Sequence, residues 1–301
     1  MTETKIFGYK NPKDRAGNHL QTDIWNHTIP VYRCAPHVWN VAGQDDVCAY
    51  LLDSGEGLIL LDTGLEETLY MLVHHVMQLG YQFTDIKKIL LSHHHFDHVD
   101  CARLIQEMAG GPEKCEIWLS REDEENHQRL KDRPKGLHKG EVYVRPYTVD
   151  HFYSDDEPVV LGRFSIRTVL TPGHTRGATS FFFEDTDEET GKTYRCAMHG
   201  GLGVGNMKPE KLPGKELIDE SVCERFVEQS LEIAEWPVDI FLPSHLNQGN
   251  VDEHLPEDPD NWKWFIADYA WHDSVKNRAE EVMSYWPEKY PDLIRTCPTL
   301  K

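Results

Sequence analysis

In Ser92-His93-His94-His95-Phe96-Asp97-His98, four of seven residues are imidazoles and one is a carboxylate. Neutral imidazole and carboxylate oxygen are ligands that a borderline cation such as Zn²⁺ accepts, and a reactive site must hold them rigidly around an open coordination position. The spacing permits this. Alternate side chains of extended backbone point the same way, so His93 and His95 can share one ion while His94 turns aside. Past Phe96 the chain must bend, and adjacent Asp97 and His98 can then face a second ion. Two-metal sites hold their ions about 3.5–4 Å apart, which a loop this short can span. A histidine-rich run can also be a solvated metal-scavenging tract or an expression tag. This run is internal, follows an apolar stretch and carries an aspartate inside it.

The elements that must position these groups are legible as apolar runs that halt where polar residues begin. Ile86 to Leu91 reads as a strand with one charged interruption, placing the cluster just past a strand's end. Upstream, Val31 to Cys34, His37 to Val41, Cys48 to Leu52 and Leu58 to Leu61 predict a meander of short strands, the last ending in Asp62-Thr63-Gly64. Glu66 to Leu79 carries apolar residues at helical spacing and stops at Gly80. Cys101 to Met108 predicts another helix, Glu116 to Leu119 a strand, and the highly charged Ser120 to Gly140 a solvated helix and loop over one rim. A second strand series runs through Pro158–Gly162 and Phe164–Leu170 into Thr171-Pro172-Gly173-His174-Thr175, where proline and glycine turn the backbone and present His174 at the strand's mouth. Ser180–Phe183 and Tyr194–Met198 predict further strands, and Val238 to Leu242 an apolar strand that halts at Pro243 and delivers His245.

The His-x-His-x-Asp-His pattern of His93, His95, Asp97 and His98 resembles the signature of the metallo-β-lactamase superfamily, and the resemblance extends from about Val31 to about Asn250. Leu60-Leu61-Asp62-Thr63-Gly64 looks like that family's first motif, in which the aspartate braces the metal loop without being a ligand. Thr171-Pro172-Gly173-His174-Thr175 is similar to its third-histidine motif. The resemblance implies His93, His95 and His174 around one zinc ion, and Asp97, His98 and His245 around a second. Iron, manganese and cobalt also suit such histidine-rich sites. It further implies an α/β (α+β) fold, the four-layer αββα sandwich of two mostly antiparallel sheets with helices outside. Much of the superfamily offers a bridging aspartate or a cysteine after the strand that here ends at Met198. Neither stands at the expected place: Cys196 comes early, on the strand, and His199 is nearer, and neither is assigned as a ligand. That pattern looks like the third subclass of metallo-β-lactamases. The subclass usually has serines in this loop that hold the substrate carboxylate, whereas Gly201 and Gly203 stand here.

Bulk properties bound the partners. The 301 residues carry 31 Lys plus Arg against 51 Asp plus Glu, a formal charge of −20 that repels phosphate backbones and anionic membranes. No nucleic-acid partner is expected. No stretch approaches the eighteen or so apolar residues of a membrane span, the start lacks a signal-like apolar core, and the seven cysteines form no Cys-x-x-Cys pair. These features predict a cytoplasmic protein without membrane attachment. One catalytic domain is expected over 1–250, with an irregular arm at 1–30. An aromatic-rich helical extension over 251–301 is expected to pack on that domain or join a homo-oligomer. The expected activity is hydrolysis of an amide or ester in a small-molecule substrate, cyclic by preference. Asp97 would orient the attacking hydroxide, and a lactonase or glyoxalase-type thioesterase is the alternative. A nuclease-like member would want a basic face, and a metal-stabilised scaffold a closed coordination shell.

Overall fold

The computed structural model describes residues 28–44, 46–130, 146–248 and 255–291. Most of the expected N-terminal arm, residues 131–140 of the charged stretch, Cys297 and both ends of the 251–301 tail lie outside them. Seven strands form one sheet in sequence order: β1 (Tyr32–Ala35), β2 (Val38–Asn40), β3 (Tyr50–Asp53), β4 (Leu58–Leu61), β5 (Ile86–Leu90), β6 (Glu116–Leu119) and β7 (His151–Phe152). The second sheet contains β8 (Val159–Leu161), β9 (Phe164–Leu170), β10 (Thr179–Thr186), β11 (Thr193–Met198) and β12 (Ile240–Phe241), ordered β12-β11-β10-β9-β8.

The layering follows from side-chain alternation. In β4 all four residues are buried, but Ile59 and Leu61 join the core shared with Phe164, Ile166 and Phe181 of the second sheet. Leu58 and Leu60 face the other way, onto Leu72 and Val76 of α1 (Leu69–Gln78) and Ile105 of α3 (Ala102–Met108). The second sheet is covered in turn, with Ala197 and Phe241 packing on Ile233 of α5 (Glu220–Ala234) and on Trp271 and Val275 of α6 (Asp268–Tyr285). Helix, sheet, sheet, helix is the expected four-layer αββα sandwich. One detail differs: the first sheet is evenly split, because β4-β5, β5-β6 and β6-β7 pair in parallel. Helices separate all three of these pairs, and a parallel pair requires such a crossover.

The C-terminal segment packs on the same molecule. A 3₁₀ turn, Trp262–Phe265, puts Phe265 against Tyr32 with ring centroids 5.6 Å apart, and the Trp271 indole donates to the Ile233 carbonyl at 2.8 Å. The helix of the expected 251–301 extension begins at Asp268, after that turn.

The topology places the chemistry. Strands β4, β5, β9, β11 and β12 run so that their carboxyl ends share one edge of the sandwich. Asp62, the 92–98 cluster, His174, His199 and His245 all follow those ends.

Candidate metal centre

The six expected ligands are brought together in two groups. His93, His95 and His174 offer nitrogens within 4.8 Å of one another, as do the donor atoms of Asp97, His98 and His245. His93 and His95 extend from the end of β5, and His95 is the N-cap of a one-turn helix, α2 (Phe96–Val99), which supplies the bend that turns Asp97 and His98 to the second group. Rings of the two groups touch: the His93 and His98 centroids lie 4.1 Å apart.

Four of the five imidazoles have their outward nitrogen hydrogen-bonded to an oxygen, which sets the donor nitrogen of each. His98 Nδ1 donates to Asp62 Oδ2 at 2.7 Å, His245 Nδ1 to Asp46 Oδ1 at 2.9 Å, and His174 Nδ1 to the Gly203 carbonyl at 2.7 Å. The Ser92 hydroxyl donates to Asp62 Oδ2 at 2.7 Å, so its oxygen is left to accept from His93 Nδ1 at 3.0 Å. His95 turns its Nε2 toward Glu216 Oε1, 3.3 Å away. The remaining nitrogens converge: His95 Nδ1 and His174 Nε2 are 2.9 Å apart, His98 Nε2 and His245 Nε2 3.2 Å. Nitrogens this close need a proton or a metal cation between them.

His93 Nε2 is buried with no hydrogen-bond partner among the described residues. A polar atom desolvated in this way carries a cost that coordination would remove. In the first group the electrostatics agree with the donor chemistry. Burial, and then the neighbouring imidazoles, hold His93 and His95 well below the ordinary histidine pKa; burial also lowers His174. Neutral imidazole is the ligating form. In the second group, burial opposes a charge on His245, but Asp46, Asp97 and Asp62 outweigh it and push the ring up to about 9, so an ion bound there would displace a proton from it. Burial alone would raise Asp97, yet His98, His245 and His95 hold its carboxyl below the usual range. These residues therefore fit a pair of cations, one bound by three nitrogens and the other by two nitrogens and a carboxylate.

Asp62 sits at the hub. It takes φ 55°, a left-handed conformation uncommon outside glycine, and its two oxygens accept from the Ser92 amide, the Ser92 hydroxyl and His98. The bracing role expected for it is thus visible as three hydrogen bonds. Neither Cys196 nor His199 is in either group. The Cys196 thiol points to the Tyr194 carbonyl within the inter-sheet core, and His199 is fully buried against Phe226 and Trp271.

Three contributors were not apparent from the sequence. Asp46 lies in a loop before Val47, Glu216 in a polar segment between Lys215 and Leu217, and Asp123 on α4 (Arg121–Leu130), the helix expected to be solvated. Asp123 is fully buried. Its carboxylate accepts from the His94 amide at 2.9 Å, the Thr175 hydroxyl at 2.8 Å and the Gly177 amide at 2.8 Å, tying the two metal-bearing loops together. The glycines of the 199–203 loop also have a reason. A Cβ on Gly201 would lie 2.6 Å from His174 Cβ, and one on Gly203 2.8 Å from His174 Nδ1. Backbone alone fits against this ring.

Known proteins resemble the chain in sequence and in fold. Residues 42–187 match the family model described as the metallo-beta-lactamase superfamily. The probable metallo-hydrolase YqgX of Bacillus subtilis (strain 168) is 28% identical over 140 residues, which are 46% of this chain and 61% of the relative. The chain thus spans about three fifths of the length of the first curated relatives it matches. Among solved structures, the metallo-beta-lactamase GOB-18 from Elizabethkingia meningoseptica superposes with TM-score 0.74 at 22% identity, covering 88% of this chain and 95% of that one. Native FEZ-1 metallo-beta-lactamase from Legionella gormanii gives TM-score 0.71 at 26% identity, covering 88% and 98%. Over residues 42–187 the chain is thus similar to the metallo-beta-lactamase superfamily, and its fold is that of the solved metallo-beta-lactamases.

Proposed function

We propose that this protein is a dinuclear zinc-dependent hydrolase. His93, His95 and His174 would hold the first ion and Asp97, His98 and His245 the second. The observation that best supports the reading is the convergence of donor atoms: in each trio they lie within 4.8 Å of one another, and four of the five imidazoles are hydrogen-bonded from outside by an oxygen. Zinc at those points would supply a polarised carbonyl and a water whose pKa falls from 15.7 to about 7.

The chain's own residues supply the rest. Asp97 lies at the open side of the second group, its Oδ2 3.7 Å from His245 Nε2 and 3.8 Å from His98 Nε2, where it can orient the attacking water and accept its proton. His95, His174 and His245 are partly exposed while His93 and His98 are buried, so substrate approaches from one side only. Asp62 and Asp123 keep the ligand loops fixed during turnover.

The substrate is a small molecule with an amide or ester bond, cyclic by preference. The ligand set without a bridging carboxylate favours a β-lactamase-like amidohydrolase over a lactonase or a glyoxalase-type thioesterase. The glycines against His174 mean that a substrate carboxylate must be held elsewhere than at residues 201 and 203. Zinc-loaded protein screened against a β-lactam, a homoserine lactone and a thioester, with chelated protein as control, tests the proposal. Turnover of at least one class that chelation abolishes is expected; no turnover, or turnover unaffected by chelation, overturns it.

A further inference from the structure

His94, which the extended spacing turns away from the first ion, is not idle. Its Nε2 lies 2.9 Å from Glu216 Oε2, and the same oxygen accepts from Asn126 Nδ2 at 2.6 Å. The Glu216 side chain is only 3% exposed and that of His94 only 2%. The other carboxylate oxygen, Oε1, faces His95 Nε2 at 3.3 Å. Both of these atoms are buried, and neither has a hydrogen-bond partner among the described residues. One can donate and the other accepts, and they lie within ion-pair distance, so a small rotation would join them.

We propose that Glu216 is a positioning residue for the first metal group, acting through His95. Its carboxylate takes the His95 Nε2 proton in a hydrogen bond, which leaves the Nδ1 lone pair facing His174 Nε2, 2.9 Å away. The surroundings hold the carboxylate in place. His94 and Asn126 fix Oε2, and the Arg129 guanidinium ties the Asn126 side-chain oxygen to the Lys215 carbonyl. Leu217 takes φ 53°, a left-handed conformation costly for leucine, immediately after the residue turned inward. A buried carboxylate needs compensating positive charge. Lys215 Nζ, 3.6 Å from Oε1, is 68% exposed and gives little, so the nearer sources of compensation are His94 Nε2 at 2.9 Å and a cation that the first group would hold beyond the His95 ring. The same three side chains, His94, His95 and Glu216, meet the geometric condition for holding an ion themselves. Sharing His95 would require both of its ring nitrogens to be deprotonated, so the single-proton bridge to Glu216 is preferred.

The inference rests on the two-ion reading above and is tested so that the two can fail separately. Wild type, Glu216→Gln and His94→Gln are titrated with Zn²⁺ against a chromophoric chelator, and their Co²⁺-substituted absorption spectra are recorded. Wild type should bind two ions. Glu216→Gln, which keeps the shape and removes the charge, should weaken one equivalent 10- to 100-fold. It should change the Co²⁺ bands of that equivalent and leave the other intact. His94→Gln, which keeps Glu216 and a donor to it, should lose less than tenfold. Wild-type affinities and spectra for Glu216→Gln would overturn the positioning role while leaving the two-ion reading standing. A third ion in wild type that Glu216→Gln abolishes would also overturn it, in favour of a separate site. If wild type binds no ion, the two-ion reading falls and the positioning role with it. Should Glu216→Gln fail to fold, Asn126→Ala, which frees Oε2, is expected to weaken the same single equivalent, and unchanged binding there would count as refutation.

Discussion

Asp62→Asn changes one oxygen to NH₂ at the point where both metal groups are anchored. Asparagine tolerates the φ of 55° at this position, so the backbone has no reason to move. If the amide oxygen stays on the Ser92 N–H, the NH₂ faces the Ser92 hydroxyl and His98 Nδ1, both 2.7 Å from the present Oδ2. The hydroxyl then accepts and turns its proton toward His93 Nδ1, while His98 Nδ1 must offer a lone pair. Both rings switch tautomer, and Nε2–H points where a lone pair is needed. If the amide is reversed, NH₂ opposes the Ser92 N–H instead. Each lost hydrogen bond to a charged group amounts to about 1.5–3 kcal/mol. Loss of such an outer partner costs about 10- to 100-fold in metal affinity, or about 1.4–2.8 kcal/mol. Because His93 and His98 belong to different groups, Asp62→Asn should weaken both zinc equivalents, unlike Glu216→Gln. Competition titration of each equivalent, with thermal unfolding in excess chelator to score the apo fold, measures this. Two equivalents of wild-type affinity in a variant that melts as the wild type would refute the tautomer argument.

Gly203→Ser restores a serine of the kind the third subclass carries, yet its Cβ would fall 2.8 Å from His174 Nδ1 and 2.9 Å from Cε1. The ring cannot retreat without losing the 2.7 Å bond to the Gly203 carbonyl, so zinc titration should show one equivalent weakened at least tenfold and β-lactam assays no gain in turnover. Trp271→Ala should lower stability by about 3–5 kcal/mol in chemical denaturation, because the indole is fully buried among Phe182, Phe241 and His199. A loss under 1 kcal/mol would mean α6 is not part of the core. Burial pushes Asp123 up to about 7 despite its three donors, so the folded state binds this proton more tightly than the unfolded chain. Its contribution is full below about pH 4 and lost as the pH rises through about 7, a change on the order of 4 kcal/mol. The difference in unfolding free energy between wild type and Asp123→Asn should shift in that direction between pH 4 and 8, and a pH-independent difference would contradict it.

What the sequence carried most clearly was the donor set, because each donor closes an apolar strand within a few residues: Leu91 before the cluster, Leu170 before His174, Leu242 before His245. The layers were equally legible, since β4 and β10 read as buried runs. The outer oxygens were not. Asp46, Asp123 and Glu216 reach the site only through long-range packing, and their local sequence is polar with no period to mark them. Asp123 and Asn126 share a helix so rich in charge that it reads as solvated, yet the face they occupy is buried against the metal loops. The parallel half of the first sheet was visible in principle, as a helix between successive strands. The glycines at 201 and 203 stood out by departing from the family pattern, but their cause, contact with His174, appears only in three dimensions.

The central claim is that two separate trios of side chains each hold one ion. The direct measurement is the zinc-to-protein ratio at equilibrium dialysis for wild type, His174→Ala and His245→Ala. Two ions in wild type and one in each variant is the predicted result. Fewer than two in wild type, or two retained in either variant, would contradict it.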